Sequence, residues 1–141
     1  MIGGNGMTDS YIGVDLDGTL AYHGETWDGV SIHAPVPLML NRVKYWLDQG
    51  KNVRIITARL APTESPERLE EQAALIKEWC LEHLGQEIPA QSYKCHRMTE
   101  LWDDRAVQVF RDTGIPLAYL AKAAARSSAV HAPTYEDHEE S

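Results

Sequence analysis

The first apolar run of the chain is YIGV at 11–14, and it ends abruptly in DLDGT at 15–19. Tyr11, Ile12 and Val14 favour a strand, and Gly18 marks the turn that stops it. Residues 20–34, LAYHGETWDGVSIHA, are polar, glycine-punctuated and mixed with aromatics, which predicts a short loop or small hairpin. Val36, Leu40, Val43 and Leu47 then recur at helical spacing, so a helix over about 36–49 is predicted, opened by Pro35 and Pro37. Gly50 stands where a helix end wants a left-handed residue. In KNVRIITAR, Val53, Ile55 and Ile56 predict a second buried strand ending at Thr57. The next helix has Ser65 as N-cap, Pro66 in its first turn, and a stripe of Leu69, Ala73, Ile76, Cys80 and Leu84 before Gly85. Beyond it the pattern predicts a weak strand at 88–93, a short one at 100–103, and a helix at 105–113 closed by Gly114. A last strand at 116–120 and an Ala-rich helix at 121–129 complete the series. Strands alternating with helices predict a parallel sheet covered on both faces, an α/β doubly wound arrangement.

Composition changes this picture little. The chain has 141 residues, 43% hydrophobic and 24% charged, enough for one globular domain, read here as 11–129. The first ten residues, MIGGNGMTDS, read as a flexible segment, and 130–141 as an acidic, solvated tail. Of the formal charge of −8, four acids lie in HAPTYEDHEES, which leaves −4 on the body. A mildly acidic body offers no electrostatic footprint for tight nonspecific nucleic-acid binding. There is no apolar run long enough to span a membrane and no signal-peptide pattern at the start. Cys80 and Cys95 lack metal or redox spacing, which is the expectation for reduced thiols in a cytoplasmic protein.

The chemistry sits where strands end. Asp15 and Asp17 occupy alternate positions of a strand, so they start out on one side of it. Two carboxylates brought together repel, and desolvating them is costly unless a cation lies between them. Thr57, Ala58 and Arg59 close the second strand, Lys94 follows the third, and Asp103 and Asp104 close the fourth within LWDDR. In a doubly wound sheet these carboxyl ends share one edge, which is where such folds bind ligands. Each residue also has a plainer reading: Thr57 as a turn cap, Lys94 as a solvated charge, one of the paired aspartates as a helix cap.

DLDGT at 15–19, Thr57, Lys94 and Asp103–Asp104 resemble, in order, the four motifs of the haloacid dehalogenase superfamily of phosphotransferases. The resemblance spans roughly residues 11–120 and implies a three-layer, Rossmann-like domain. The gaps at 20–34 and 60–93 are too short for a cap domain. Response-regulator receiver domains use similar residues, but there the acidic pair comes first, whereas here it comes last. No P-loop motif is present.

The resemblance implies that Asp15 is the nucleophile and Asp17 the general acid and then base. Magnesium would be held by Asp15, the Asp17 backbone carbonyl, and Asp103 or Asp104. Thr57 with neighbouring amides would hold phosphoryl oxygens, and Lys94, or alternatively Arg97 or Lys51, would balance charge. Gly18 would let the chain swing Asp17 over the metal, with Thr19 bracing the turn. His23, Trp27 and Arg59 are candidate substrate contacts, with Trp27 equally suited to packing the loop. The expected substrate is a phosphomonoester at an open site, either a terminal phosphate of a large molecule or a small one covered by another subunit of a homo-oligomer. ITAR and LWDDRAVQV also resemble the phosphatase half of polynucleotide kinase-phosphatases, which keeps a nucleic-acid or nucleotide 3′-phosphate open. Phosphotransfer to a second hydroxyl and a noncatalytic phosphate-binding module are the remaining alternatives.

Overall fold

The computed structural model describes residues 9–129; the N-terminal segment through residue 8 and the acidic tail from residue 130 lie outside them. Strand β1, Tyr11–Asp15, lies between two parallel partners. Ile12–Asp15 pair with Val53–Ile56 of β2, and Tyr11–Val14 pair with Met98–Trp102 of β4. The short β3, Ala90–Gln91, adds to the far side of β2, giving the order β3-β2-β1-β4. Winding therefore reverses between β1 and β4, as the doubly wound reading requires, and the fold is α/β.

One face of this sheet holds the core. Ile12, Val14, Val53 and Ile55 meet Met39 and Val43 of α1 (Pro37–Asp48) and Ile76, Trp79, Cys80 and Leu84 of α2 (Pro66–Leu84). Each such side chain, taken fully out of water, contributes roughly 1.5–3 kcal/mol. The other face carries Tyr11 and Arg54, both buried, with the guanidinium 4.3 Å from the centre of the Tyr11 ring. α2 begins and ends as its sequence predicts. The Ser65 hydroxyl accepts the Arg68 amide at 3.2 Å, Pro66 opens the first turn, and Gly85 turns left-handed at φ 77°. Ile76, Cys80 and Leu84 of the expected stripe are buried, but Ala73 is exposed, and Gln72 and Trp79 face inward in addition.

The segment after β1 is anchored rather than loose. Ala21 bridges Pro35 in antiparallel fashion, and the Tyr22 amide donates to the Ala34 carbonyl at 2.9 Å. These bonds close the base of a flap spanning 22–34.

The chain divides into two units, the first ending at Asp104 and the second starting at Arg105. In the second, residues 105–113 are not a helix and 116–120 are not a strand. Val109 bridges Pro116, with the Phe110 amide donating to the Ile115 carbonyl at 2.9 Å. Asp112 and Gly114 both adopt positive φ in the turn between them. The β-branched Val107 and Val109 disfavour helix, and Pro116 then precedes the start of α3, Leu117–Ala129. Among the described residues no helix is long and apolar enough to cross a membrane.

Candidate active site

The register brings the predicted residues to one edge. Asp15 lies opposite Ile56, so Thr57 comes next to the end of β1 on one side. Val14 lies opposite Trp102, so Asp103 comes next to it on the other. Asp15, Asp103 and Asp104 each offer an oxygen such that all three lie within 4.8 Å of one another. The turn of DLDGT completes the cluster. The Thr19 hydroxyl is 3.3 Å from Asp15 Oδ2 and 3.3 Å from Asp104 Oδ1, and it accepts the Asp104 amide at 3.0 Å. One hydroxyl thus ties the end of β1 to the end of β4.

Gly18 makes that approach possible. Its φ is +95°, and a Cβ placed on it would lie 2.7 Å from Asp104 Oδ2. Any side chain would both strain the turn and push Asp104 out of the cluster.

Carboxylates at this spacing repel one another. Burial pushes the Asp15 carboxyl up from 3.8 to about 7; the charge of Asp103 and a hydrogen bond and charge from Asp104 add to this, and the Thr19 hydroxyl opposes it. Because the folded value lies above the unfolded one, the native protein keeps a proton that the unfolded chain has released between about pH 4 and pH 7. The associated stability is present at the acidic end of that window and is lost as pH rises through 7. After solvent screening at this partly exposed site, the loss is on the order of 1–2 kcal/mol. Metal-free protein should therefore lose stability relative to Asp15→Asn between pH 5 and pH 8, measured as a difference in urea midpoints. A constant difference across that range would show that Asp15 titrates normally.

Asp17 points to a different partner. Arg59 Nε donates to Asp17 Oδ2 at 2.7 Å and Nη2 to Oδ1 at 2.8 Å, a two-pronged ion pair. The other guanidinium N–H groups donate to the Val30 carbonyl at 2.7 Å, Gln72 Oε1 at 2.8 Å and the Ser31 carbonyl at 2.8 Å. The side chain is 3% exposed. Where a substrate contact was expected of Arg59, all five of its donors face protein acceptors. Trp27, 54% exposed, lies with its ring centre 5.6 Å from the guanidinium carbon.

Thr57 is 3% exposed and caps the 3-10 turn Ala58–Leu60, its hydroxyl accepting the Arg59 amide at 3.1 Å. The plainer reading of Thr57 is therefore realised, and a hydroxyl that accepts one bond still has a proton to give. Ala58 is exposed beside it.

Lys94 is exposed on the 92–97 connection from β3 to β4, and the structure does not gather it against Asp15. Its neighbour Cys95 is tied to the first residue of β1, the Cys95 amide donating to the Tyr11 hydroxyl at 3.2 Å. The alternative cations lie at the opposite edge. Lys51 precedes β2, and the Arg97 carbonyl accepts the Tyr11 amide where β1 begins. His23 is exposed on the flap, its Nδ1 3.0 Å from the Gly24 carbonyl.

Gln72 and Arg68 belong to this region and were not anticipated. A glutamine on the apolar stripe, four residues before Ile76, was the available signal for Gln72. Arg68 pairs with its sequence neighbours Glu64 at 3.4 Å and Glu71 at 3.7 Å, but its donation to the Gly29 carbonyl across the flap had no signal in the sequence.

Comparison with family models gives no match, and comparison with curated proteins gives none. Among solved structures, a conserved protein of Bacteroides thetaiotaomicron is similar at 17% identity and a TM-score of 0.46, over 95% of this chain and 99% of that one. A likeness of that degree adds nothing to the reading of the site.

Proposed function

We propose that this chain is a magnesium-dependent phosphomonoester hydrolase of the haloacid dehalogenase type, with Asp15 as nucleophile. The observation that carries the reading is the convergence of Asp15, Asp103 and Asp104 within 4.8 Å at the end of the strand that carries DLDGT. Carboxylate oxygens suit a hard divalent cation, and magnesium bonds of 2.0–2.1 Å put opposite ligands about 4.2 Å apart. The observed spread fits that demand with small adjustments. Bound there, magnesium would offset the negative charge of nucleophile and phosphoryl group together.

The chain's own residues then supply the chemistry. An Asp15 carboxylate oxygen attacks phosphorus while the ester P–O bond breaks; Asp17, having taken a proton from solvent and turned one oxygen away from Arg59, gives that proton to the departing oxygen. Asp17 next takes a proton from water, which attacks phosphorus; the bond to Asp15 breaks and inorganic phosphate leaves. The Thr57 hydroxyl and the Ala58 amide hold phosphoryl oxygens, and Lys94 supplies positive charge from the 92–97 connection. Ahead of their helices, the connections after β1 and β2 hold only the flap and a short turn, too little chain for a cap domain, which suits a phosphate carried on a large molecule.

The test is phosphate release, with and without millimolar magnesium, from nucleoside 3′- and 5′-phosphates, sugar phosphates, an oligonucleotide 3′-phosphate and p-nitrophenyl phosphate. Release from at least one of them that requires magnesium is expected. Absence of release from all of them would overturn the proposal, and phosphoryl transfer to an added alcohol would redirect it to a transferase.

A further inference from the structure

We infer that Arg59 is a positioning residue that joins the 22–34 flap to Asp17, so that the flap and the proposed proton donor are ordered together. Its catalytic consequence rests on the reading of Asp17 as general acid, whereas the coupling itself does not.

The flap is shaped from two sides. On one side Asp28 Oδ1 accepts the amides of Val30 and Ser31, each at 2.8 Å, and Asp28 Oδ2 accepts the Ser31 hydroxyl at 2.7 Å. This local turn aims three successive carbonyls, of Gly29, Val30 and Ser31, at side chains of the first unit. Arg59 takes those of Val30 and Ser31. Arg68 and Gln72 both donate to that of Gly29, Gln72 at 3.3 Å, while Gln72 Oε1 accepts from Arg59. A single planar guanidinium therefore divides its donors among the flap, Gln72 and both oxygens of Asp17.

Displacing the flap removes two acceptors from a guanidinium that is 3% exposed, and a buried donor left without a partner is costly. Rotating Asp17 away removes two others from the same plane. Each movement therefore weakens the restraint on the other, which is the energetic content of coupling in a shared network. Lysine cannot reproduce the arrangement, because an ammonium lacks the planar fork.

The experiment uses the full chain and two readouts. Hydrogen exchange at the Val30 and Ser31 amides is compared in wild type, Asp17→Asn and Arg59→Lys. Asp17 makes no bond to the flap, yet Asp17→Asn should speed exchange there by about tenfold or more, with β1 and β2 amides unchanged. Exchange at the wild-type rate in Asp17→Asn would overturn the coupling. Asp17 is partly exposed, so this variant keeps the comparison decisive if Arg59→Lys fails to fold. In the second readout, Arg59→Lys should slow alkyl phosphates more than aryl phosphates, and the double variant should be no slower than Asp17→Asn alone. Equal slowing of both substrate types would reduce Arg59 to a structural role. If wild type turns over neither, the phosphatase reading fails, and the exchange comparison still decides whether Arg59 couples flap and Asp17.

Discussion

Asparagine at position 15 is expected to abolish phosphate release while raising the melting temperature of the metal-free protein. The two effects share one cause. Asp15 supplies the attacking charge, and the neutral amide, of nearly the same shape, has none to give. Loss of a covalent nucleophile in other enzymes suggests a drop on the order of 10³-fold or more. In the absence of metal, the same charge works against folding, since Asp15 is partly buried among Asp103 and Asp104 and its carboxyl is pushed up to about 7. Removing it relieves on the order of 1–2 kcal/mol above pH 7 after screening, a few degrees in melting temperature. Magnesium should stabilise wild type by binding the native state alone, and it should stabilise the variant less. Retained turnover would remove Asp15 from the nucleophile's role. A lowered melting temperature in the variant would mean that Asp15 is structural, and the repulsion argument would fall with it.

The parts of the fold that local chemistry controls were legible in the sequence. Ser65, Pro66 and Gly85 mark the ends of α2 because capping and left-handed turns depend on residues adjacent in the chain. β1 and β2 were legible for a similar reason, each being a short, mostly apolar run rich in β-branched residues, although Arg54 interrupts the second. The segment after Asp104 was not. Val107 to Leu120 contains apolar residues at spacings that suit either period, and the deciding feature is a turn with positive φ at both Asp112 and Gly114. Glycine announces such a turn; aspartate in the same conformation does not.

The acidic cluster was legible as a set because strand ends in one parallel sheet must share an edge, whatever the loops do. The cations were harder to read. Lys51 and Arg97 drop out once register places them at the amino ends of their strands. Arg59 follows a strand end directly, where an arginine usually meets solvent or ligand. Its burial depends on carbonyls of Val30 and Ser31, which lie 29 and 28 residues away in sequence. Backbone carbonyls carry no residue-type signature, so nothing in the identities of Val30 and Ser31 points to that contact.

Asp17 is the residue whose role this arrangement sharpens most, and leaving-group chemistry isolates it. An alkoxide is a strong base and leaves slowly without a proton, whereas a nitrophenolate leaves readily without one. General acid catalysis contributes about 10²–10⁴-fold, so Asp17→Asn should slow phosphoryl transfer from alkyl phosphates by a factor in that range. Transfer from p-nitrophenyl phosphate should slow far less. Asp17 also serves the hydrolytic step, and a steady-state rate limited by that step would hide the contrast. Single-turnover formation of the phosphorylated enzyme avoids this, because it ends before water attacks. The asparagine also breaks the two-pronged pair with Arg59, so some loss common to both substrates is expected from a looser flap. What identifies the acid is the ratio of the two losses rather than either alone. Equal slowing of alkyl and aryl substrates would mean that Asp17 donates no proton in the first step, and that its carboxylate serves to seat Arg59 beneath the flap.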